Sequence, residues 1–112
     1  MKISSPDGAQ GMTEIEFSNA AVEDLSEIDV FSISQFGVEM GEAYMRGFDK
    51  AFALLRDHPF AGIATVEYGN PYRCLVHRKN RIFHIVEGDT VLIVRVLHHA
   101  MDLKQALKKA AK

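Results

Sequence analysis

Residues 81–102, RIFHIVEGDTVLIVRVLHHAMD, decide the fold. Apolar and β-branched side chains fill 81–86 and again 90–97, and Glu87-Gly88-Asp89 stands between them. Two such runs on either side of a glycine turn make a β-hairpin. Just upstream, residues 72–77 form another short strand, which Arg78-Lys79-Asn80 turns back into the hairpin. Three strands joined by turns this short must pair as an antiparallel meander.

Upstream of the meander the period changes. Residues 13–17 alternate, with Ile15 and Phe17 on one side and Glu14 and Glu16 on the other, as in a half-buried strand. Ser18 or Asn19 can cap a following helix, and Glu23 and Asp24 in its early turns complement the helix dipole. Ala21, Leu25, Ile28, Ser32 and Phe36 make one helical face, and Gly37 suits the position just past the helix end. A second helix runs over 38–58 with Gly41, Tyr44, Phe48, Ala51 and Leu55 on one face, and Pro59 ends it. Gly41 and Gly47 cost this helix stability and suit a close approach between helices. The short connection implies an antiparallel helical hairpin. Residues 60–71 read as a loop, and 101–111 as a short amphipathic helix with Leu103 and Leu107 on one face. Residues 1–11 carry almost no core-forming side chains and read as an extension or linker, so residues 12–112 are expected to form one domain. The predicted class is α+β: an N-terminal strand, an antiparallel helical hairpin, a three-stranded antiparallel meander and a short C-terminal helix, with the hairpin covering one face of the sheet in two layers.

The 112 residues are enough for one such core. Cys74 is the only cysteine, so no internal disulfide can form, and a reducing cytoplasm is expected. No apolar run approaches the roughly 20 residues that span a bilayer, so no membrane partner is expected. The net charge of −2 hides an asymmetry. Residues 13–49 hold nine Asp/Glu against Arg46, about −8, while 72–112 hold nine Lys/Arg against Glu87, Asp89 and Asp102, about +6. A basic half of this kind can face an acidic partner while the chain stays soluble.

The segments FSNAAVEDLSEI (17–28), DHPFAG (57–62), YRCLVHRKNRIFHIVEGD (72–89) and VLIVRVLHHAMD (91–102) carry a family likeness. With them the chain resembles the ParE branch of the RelE/ParE toxin superfamily over residues 13–102. The final strand, ending in Val-Leu-His and closing on Met-Asp, is the most specific of these. One departure stands in the penultimate strand, where Phe83 is followed by His84 and family members often have Phe-Tyr. The resemblance implies the toxin of a type II toxin–antitoxin pair, held by a cognate ParD-like antitoxin and directed at DNA gyrase by binding rather than by catalysis. RelE-type relatives on the same fold cleave ribosome-bound mRNA, and fold alone cannot choose between the two activities. A third reading is a non-toxic module that keeps only antitoxin recognition.

The side chains allow these readings to be weighed. For RNA cleavage, Arg81 and Arg95 could steady a phosphate while His98 and His99 shuttle protons. For docking to a target, Arg73, Arg78, Arg81 and Arg95 supply the positive charge. His98 can instead cap its strand and tether the turn to Asp102. Adjacent on a strand, His98 and His99 would point to opposite faces, and Cys74, His77 and His84 match no zinc spacing, so no metal is expected. Cys74 alternates into the core, where a thiol is inert. No glycine-rich phosphate loop appears, and no cofactor is expected. Tyr72 and Phe83 are the only aromatics among the basic residues, thin support for a stacking platform, so sequence-specific nucleic-acid binding is not expected. An antitoxin segment that folds on binding would use the exposed side of the helical hairpin and a free sheet edge.

Overall fold

In the computed structural model, residues 2–3, 13–65 and 72–110 are described. The chain runs β1 (Lys2–Ile3), β2 (Glu14–Phe17), α1 (Asn19–Asp57), β3 (Ile63–Ala64), β4 (Arg73–His77), β5 (Asn80–Glu87), β6 (Thr90–His98) and α2 (Leu103–Ala110). The six strands form one sheet in the order β1-β2-β6-β5-β4-β3. The meander β4-β5-β6 is antiparallel as expected, with two-residue turns at Arg78-Lys79 and Gly88-Asp89. β2 enters beside β6 and runs parallel to it, Glu14 opposite Thr90 and Phe17 opposite Ile93. Two short strands escaped the sequence reading. β3 lies in the expected loop and pairs with Arg73 and Cys74, and β1 lies in the expected extension and pairs antiparallel with β2. Each has only two residues, too few for alternation to show.

Helix α1 is a hairpin of two limbs. Ser18 caps the first limb, its hydroxyl accepting the Ala21 N–H at 3.0 Å. The chain then breaks at Gly37, where φ is +86° and ψ 169°. That conformation is closed to side chains with a Cβ and open to glycine. Close to the bend, Gly41 lets the limbs meet: a Cβ there would stand 2.8 Å from Cγ1 of Ile33. Gly47 serves a different contact from the helix–helix one expected for it, since a Cβ would stand 2.8 Å from the His77 ring on the sheet.

The hairpin covers one face of the sheet. Ile15, Phe17, Ile82, Val91, Ile93 and Val96 meet Ala21, Phe48, Ala51, Phe52 and Leu55. Phe17 and Phe52 pack edge to face with centroids 4.9 Å apart. Burying each large side chain here stabilises the fold by about 1.5–3 kcal/mol. The opposite face carries a smaller core of Cys74, Phe83 and Leu97 under Leu103 and Leu107 of α2. The C-terminal helix therefore adds a partial third layer. Asp102 caps it, accepting the Gln105 N–H at 3.1 Å.

Gly37 has open space around its Cα, so a side chain there would meet only backbone strain. Gly37→Ala is expected to cost about 1–3 kcal/mol, read as a lower urea midpoint with an unchanged slope. Gly88→Asn, at φ +58° in a turn, should cost much less, because asparagine tolerates the left-handed region.

Candidate functional site

A concavity lies between the helical hairpin and the free flank of β6. It encloses about 820 Å³ and is lined by Ile28, Phe31, Phe36, Met40, Tyr44 and Val96 among others, with Arg78, Lys79 and His98 at the sheet end. Around the bend of the hairpin Val30, Phe31, Phe36, Val38 and Met40 are each more than half exposed. An apolar cluster of that density on a small domain marks a contact surface. The expected inner face thus stops at Ser32, because Phe36 turns outward where the limbs approach the bend at Gly37.

The flank of β6 is open because β2 ends first. A bulge sets its geometry: Phe83 pairs with Arg95 but His84 with Ile93, so Val94 is the extra residue. Two successive carbonyls therefore face the same way, and Ser18 takes both. Its N–H donates to Ile93 O at 2.9 Å and its hydroxyl to Val94 O at 2.6 Å. The next donor, Val96 N–H, goes to Asp24 Oδ2 at 3.0 Å. Past that point, ladder alternation turns Val96 C=O and His98 N–H toward the groove, with no strand beside them among the described residues.

Asp24 is the central group that sequence reasoning missed. Placed there as a dipole partner, it instead lies buried and receives Arg95 through both carboxylate oxygens, Nε–Oδ2 and Nη2–Oδ1 each 2.7 Å. The remaining Arg95 nitrogen donates to Ala106 O of α2 at 3.2 Å. Hydrogen bonding to Asp24 raises the Arg95 pKa, overcoming the opposing effect of burial. The signal was present: Asp24 lies three residues after Ala21 and four before Ile28, on the inward stripe.

The four expected docking arginines are not equivalent. Arg95 is locked by Asp24. Arg73 donates to the carbonyls of Phe60 and Gly62 and lies over the Phe60 ring, pinning the loop after α1. Arg81 is half-buried near Cys74, whose pKa burial raises despite that neighbouring charge. Arg78 is the exposed one of the four, its guanidinium 5.6 Å from the Tyr44 ring centre. Nor do Arg81, Arg95, His98 and His99 gather at one point. Arg81 shares its sheet face with Leu97, opposite to that of His98. His98 accepts the Ala100 N–H on Nδ1 at 3.1 Å, and its carbonyl accepts the Met101 N–H at 3.0 Å. The two histidine rings stack, with centroids 4.6 Å apart. The expectation of opposite faces fails because β6 ends at His98 and His99 belongs to the turn.

Two further histidines are internal. His84 is fully buried on β5 with Nδ1 on Ile82 O at 3.1 Å, and its Nε2 meets no partner. Burial and the charge of Arg73 lower its pKa, outweighing that hydrogen bond. His77 packs on the Phe48 ring at 4.6 Å, and burial together with Arg78 lowers its pKa too. Among the described residues no three His, Cys, Asp or Glu side chains converge on a metal position, and no helix is long and apolar enough to cross a membrane.

Strand order, helical hairpin and capping C-terminal helix define a layered α+β fold. A solved chain described as "Chromosomal ParDE TA system from P. aeruginosa" shares it with a TM-score of 0.68 at 18% identity, over 80% of this chain and 98% of that one. The family model for the ParE toxin of the type II toxin–antitoxin system parDE matches residues 15–103. Toxin ParE1 of Mycobacterium tuberculosis is 34% identical over 91 residues, 80% of this chain and 93% of its own length. Toxin ParE1 of Caulobacter vibrioides is 29% identical over 96 residues, 86% and 99% of the two chains. The chain belongs to the ParE family of type II toxins.

Two measurements check this geometry. Asp24→Ala strands a partly buried guanidinium and the Val96 N–H, and should cost about 3–5 kcal/mol. Replacing both partners, Asp24→Leu with Arg95→Met, should cost less than the single change. A double variant no more stable than Asp24→Ala would contradict the assignment. The second is a pH scan. With His84 and His77 lowered in the fold, the unfolded chain takes up protons first. Stability should hold above the ordinary histidine range near pH 6.5 and fall as pH drops below it. Thermal melts between about pH 7.5 and 5.5 would show this, with a shallower slope in His84→Met.

Proposed function

We propose that this ParE-family toxin arrests growth by binding DNA gyrase, and that a ParD-like antitoxin neutralises it by filling the groove between the hairpin and β6. The groove carries the reading: exposed Phe31, Phe36 and Met40 lie beside a strand flank whose Val96 C=O and His98 N–H lack a strand neighbour. A segment that folds on binding can put a helix on the apolar side and a short strand on the flank. The family match and the likeness to a ParDE structure support such a partner. Action in the bacterial cytoplasm follows from a gyrase target.

Binding rather than RNA cleavage fits the dispersed cations. Arg95 is held by a carboxylate, Arg81 faces the α2 side, and His98 is occupied by the turn it holds. Arg78 and Lys79, at the exposed tip of the meander, are the charges best placed to meet a target. The purified protein is to be incubated with gyrase and supercoiled DNA, and separately with translating ribosomes. Lost supercoiling or stabilised DNA cleavage supports the proposal, whereas message cut at the decoding site transfers the function to the RelE type.

Variants sharpen the test. His98→Gln and His99→Gln should still arrest growth on induction, since glutamine keeps much of the hydrogen bonding and removes proton shuttling. A general acid or base would lose about 10²-fold or more. Phe31→Asp should stay toxic yet weaken antitoxin binding by about 2 kcal/mol or more, the loss typical of a central aromatic anchor. Phe31→Asp that binds antitoxin normally would remove the groove from the proposal.

A further inference from the structure

A second groove lies at the other side of the sheet. β3 pairs only with Arg73 and Cys74, and β4 continues to His77. The His77–Asn80 pair closes the β4-β5 turn, so alternation points Val76 N–H and C=O away from β5. They face a strip with no strand neighbour among the described residues. Across it stands the second limb of α1, presenting Ala43, Arg46, Gly47, Lys50, Ala51 and Leu54 at helical spacing. The space enclosed is about 590 Å³.

The chemistry of this groove is one-sided. Its floor is apolar, with Leu75, Ala51 and Leu54, and its rim holds Arg46 and Lys50 from the helix and Arg78 from the turn. No acidic side chain lines it, and none of these three cations is in an ion pair among the described residues. Edge strands are often guarded by a charge on the strand itself. Here the outward residue of β4 is Val76, 61% exposed, and the cations stand on the opposite wall. A strand added beside β4 would lie about 4.8 Å away. Its alternate side chains would meet Arg46 and Lys50 on one face and Val76 on the other. Arg78 is also held at φ +56°, an uncommon conformation for a residue with a side chain, at the mouth of this groove.

We propose that this groove binds an extended, acidic segment of a partner protein, which joins the sheet as a strand beside β4. The occupant is a peptide rather than a nucleic acid because the lining offers main-chain hydrogen bonds and apolar contact. No exposed aromatic ring lines it for base stacking. The proposal does not depend on gyrase being the target or on what fills the first groove.

The test is an amide NMR titration of the full chain with a capped peptide of about nine alternating Glu and Val residues, taken to about 1 mM to capture weak binding. Saturable shifts are expected at Arg46, Lys50 and residues 75–78, with slowed hydrogen exchange at Val76. Arg46→Gln with Lys50→Gln, two surface changes, should weaken binding by about tenfold or more. Val76→Pro removes only the outward N–H and should abolish the Val76 contact. A lysine–valine peptide of the same length should not bind. Four results overturn the proposal: no saturable shift at 75–78, equal binding of the lysine peptide, indifference to the double substitution, or tighter binding of a ten-nucleotide oligothymidylate at the same residues.

Discussion

The carboxylate of Asp24 joins three pieces of backbone that would otherwise part. It sits in the first limb of α1, takes the Val96 N–H of β6, and receives Arg95, which in turn donates to Ala106 O of α2. The need for it arises from the sheet. β2 ends at Phe17, opposite Ile93, and β6 runs five residues further. A strand flank left bare inside a fold holds donors and acceptors that must find partners. Ser18 serves the first two carbonyls and Asp24 the next donor, so the start of the helix substitutes for the missing length of β2. A bidentate arginine pair at the domain margin is worth having because both charges keep their hydrogen bonds as water leaves.

That anchorage explains why the hairpin is firm at one end and open at the other. From Ala21 to Ser32 the first limb is tied to β6, and from Phe48 to Leu55 the second limb is buried on the sheet. Between these regions the bend at Gly37 stands clear of the core, and apolar side chains there meet solvent. Of the acidic residues in 13–49, Glu14 and Glu16 lie on β2 and Asp24 is buried, and the others lie along the helical hairpin. Of the basic residues in the C-terminal half, Arg78 and Lys79 stand at the meander tip, Arg73, Arg81 and Arg95 lie on the strands, and Lys104, Lys108 and Lys109 lie on α2.

Much of this was legible from periodicity and turn chemistry. Alternation marked β2 and the meander, Ser18 and Gly37 marked the limbs, and Leu103 with Leu107 marked α2. The misreadings of Asp24, Arg95 and Arg73 have one origin, since each depends on partners elsewhere in the chain. The bulge at Val94 is an example. Strict alternation from Val91 and Ile93 would keep Arg95 on the hairpin face. One extra residue moves it to the α2 face, from which it reaches around the bare flank to Asp24. Charge counting therefore treated Arg95 as a free docking cation and Asp24 as a dipole partner. Arg73 failed in the same way, because its acceptors are carbonyls of the loop it pins. Arg78 stands exposed, since a turn tip needs no tertiary partner.

The sheet tapers at both margins, and the consequence converges on one end of the molecule. β6 outruns β2 and β4 outruns β3, and both overhangs lie at the end that carries Arg78 and Lys79. Each overhang faces a different limb of the same hairpin, and Arg78 lines both grooves. Bare strand flanks beside apolar helix surface invite pairing with other chains and, uncontrolled, aggregation. In this fold the hazard is met with positive charge at the shared end, which repels a second copy of the same basic surface. The same charge leaves the flanks open to a chain of opposite sign. A strand of opposite sign would bring acidic groups to the cations and main-chain partners to the flanks, whereas the same basic end of another copy would meet repulsion there.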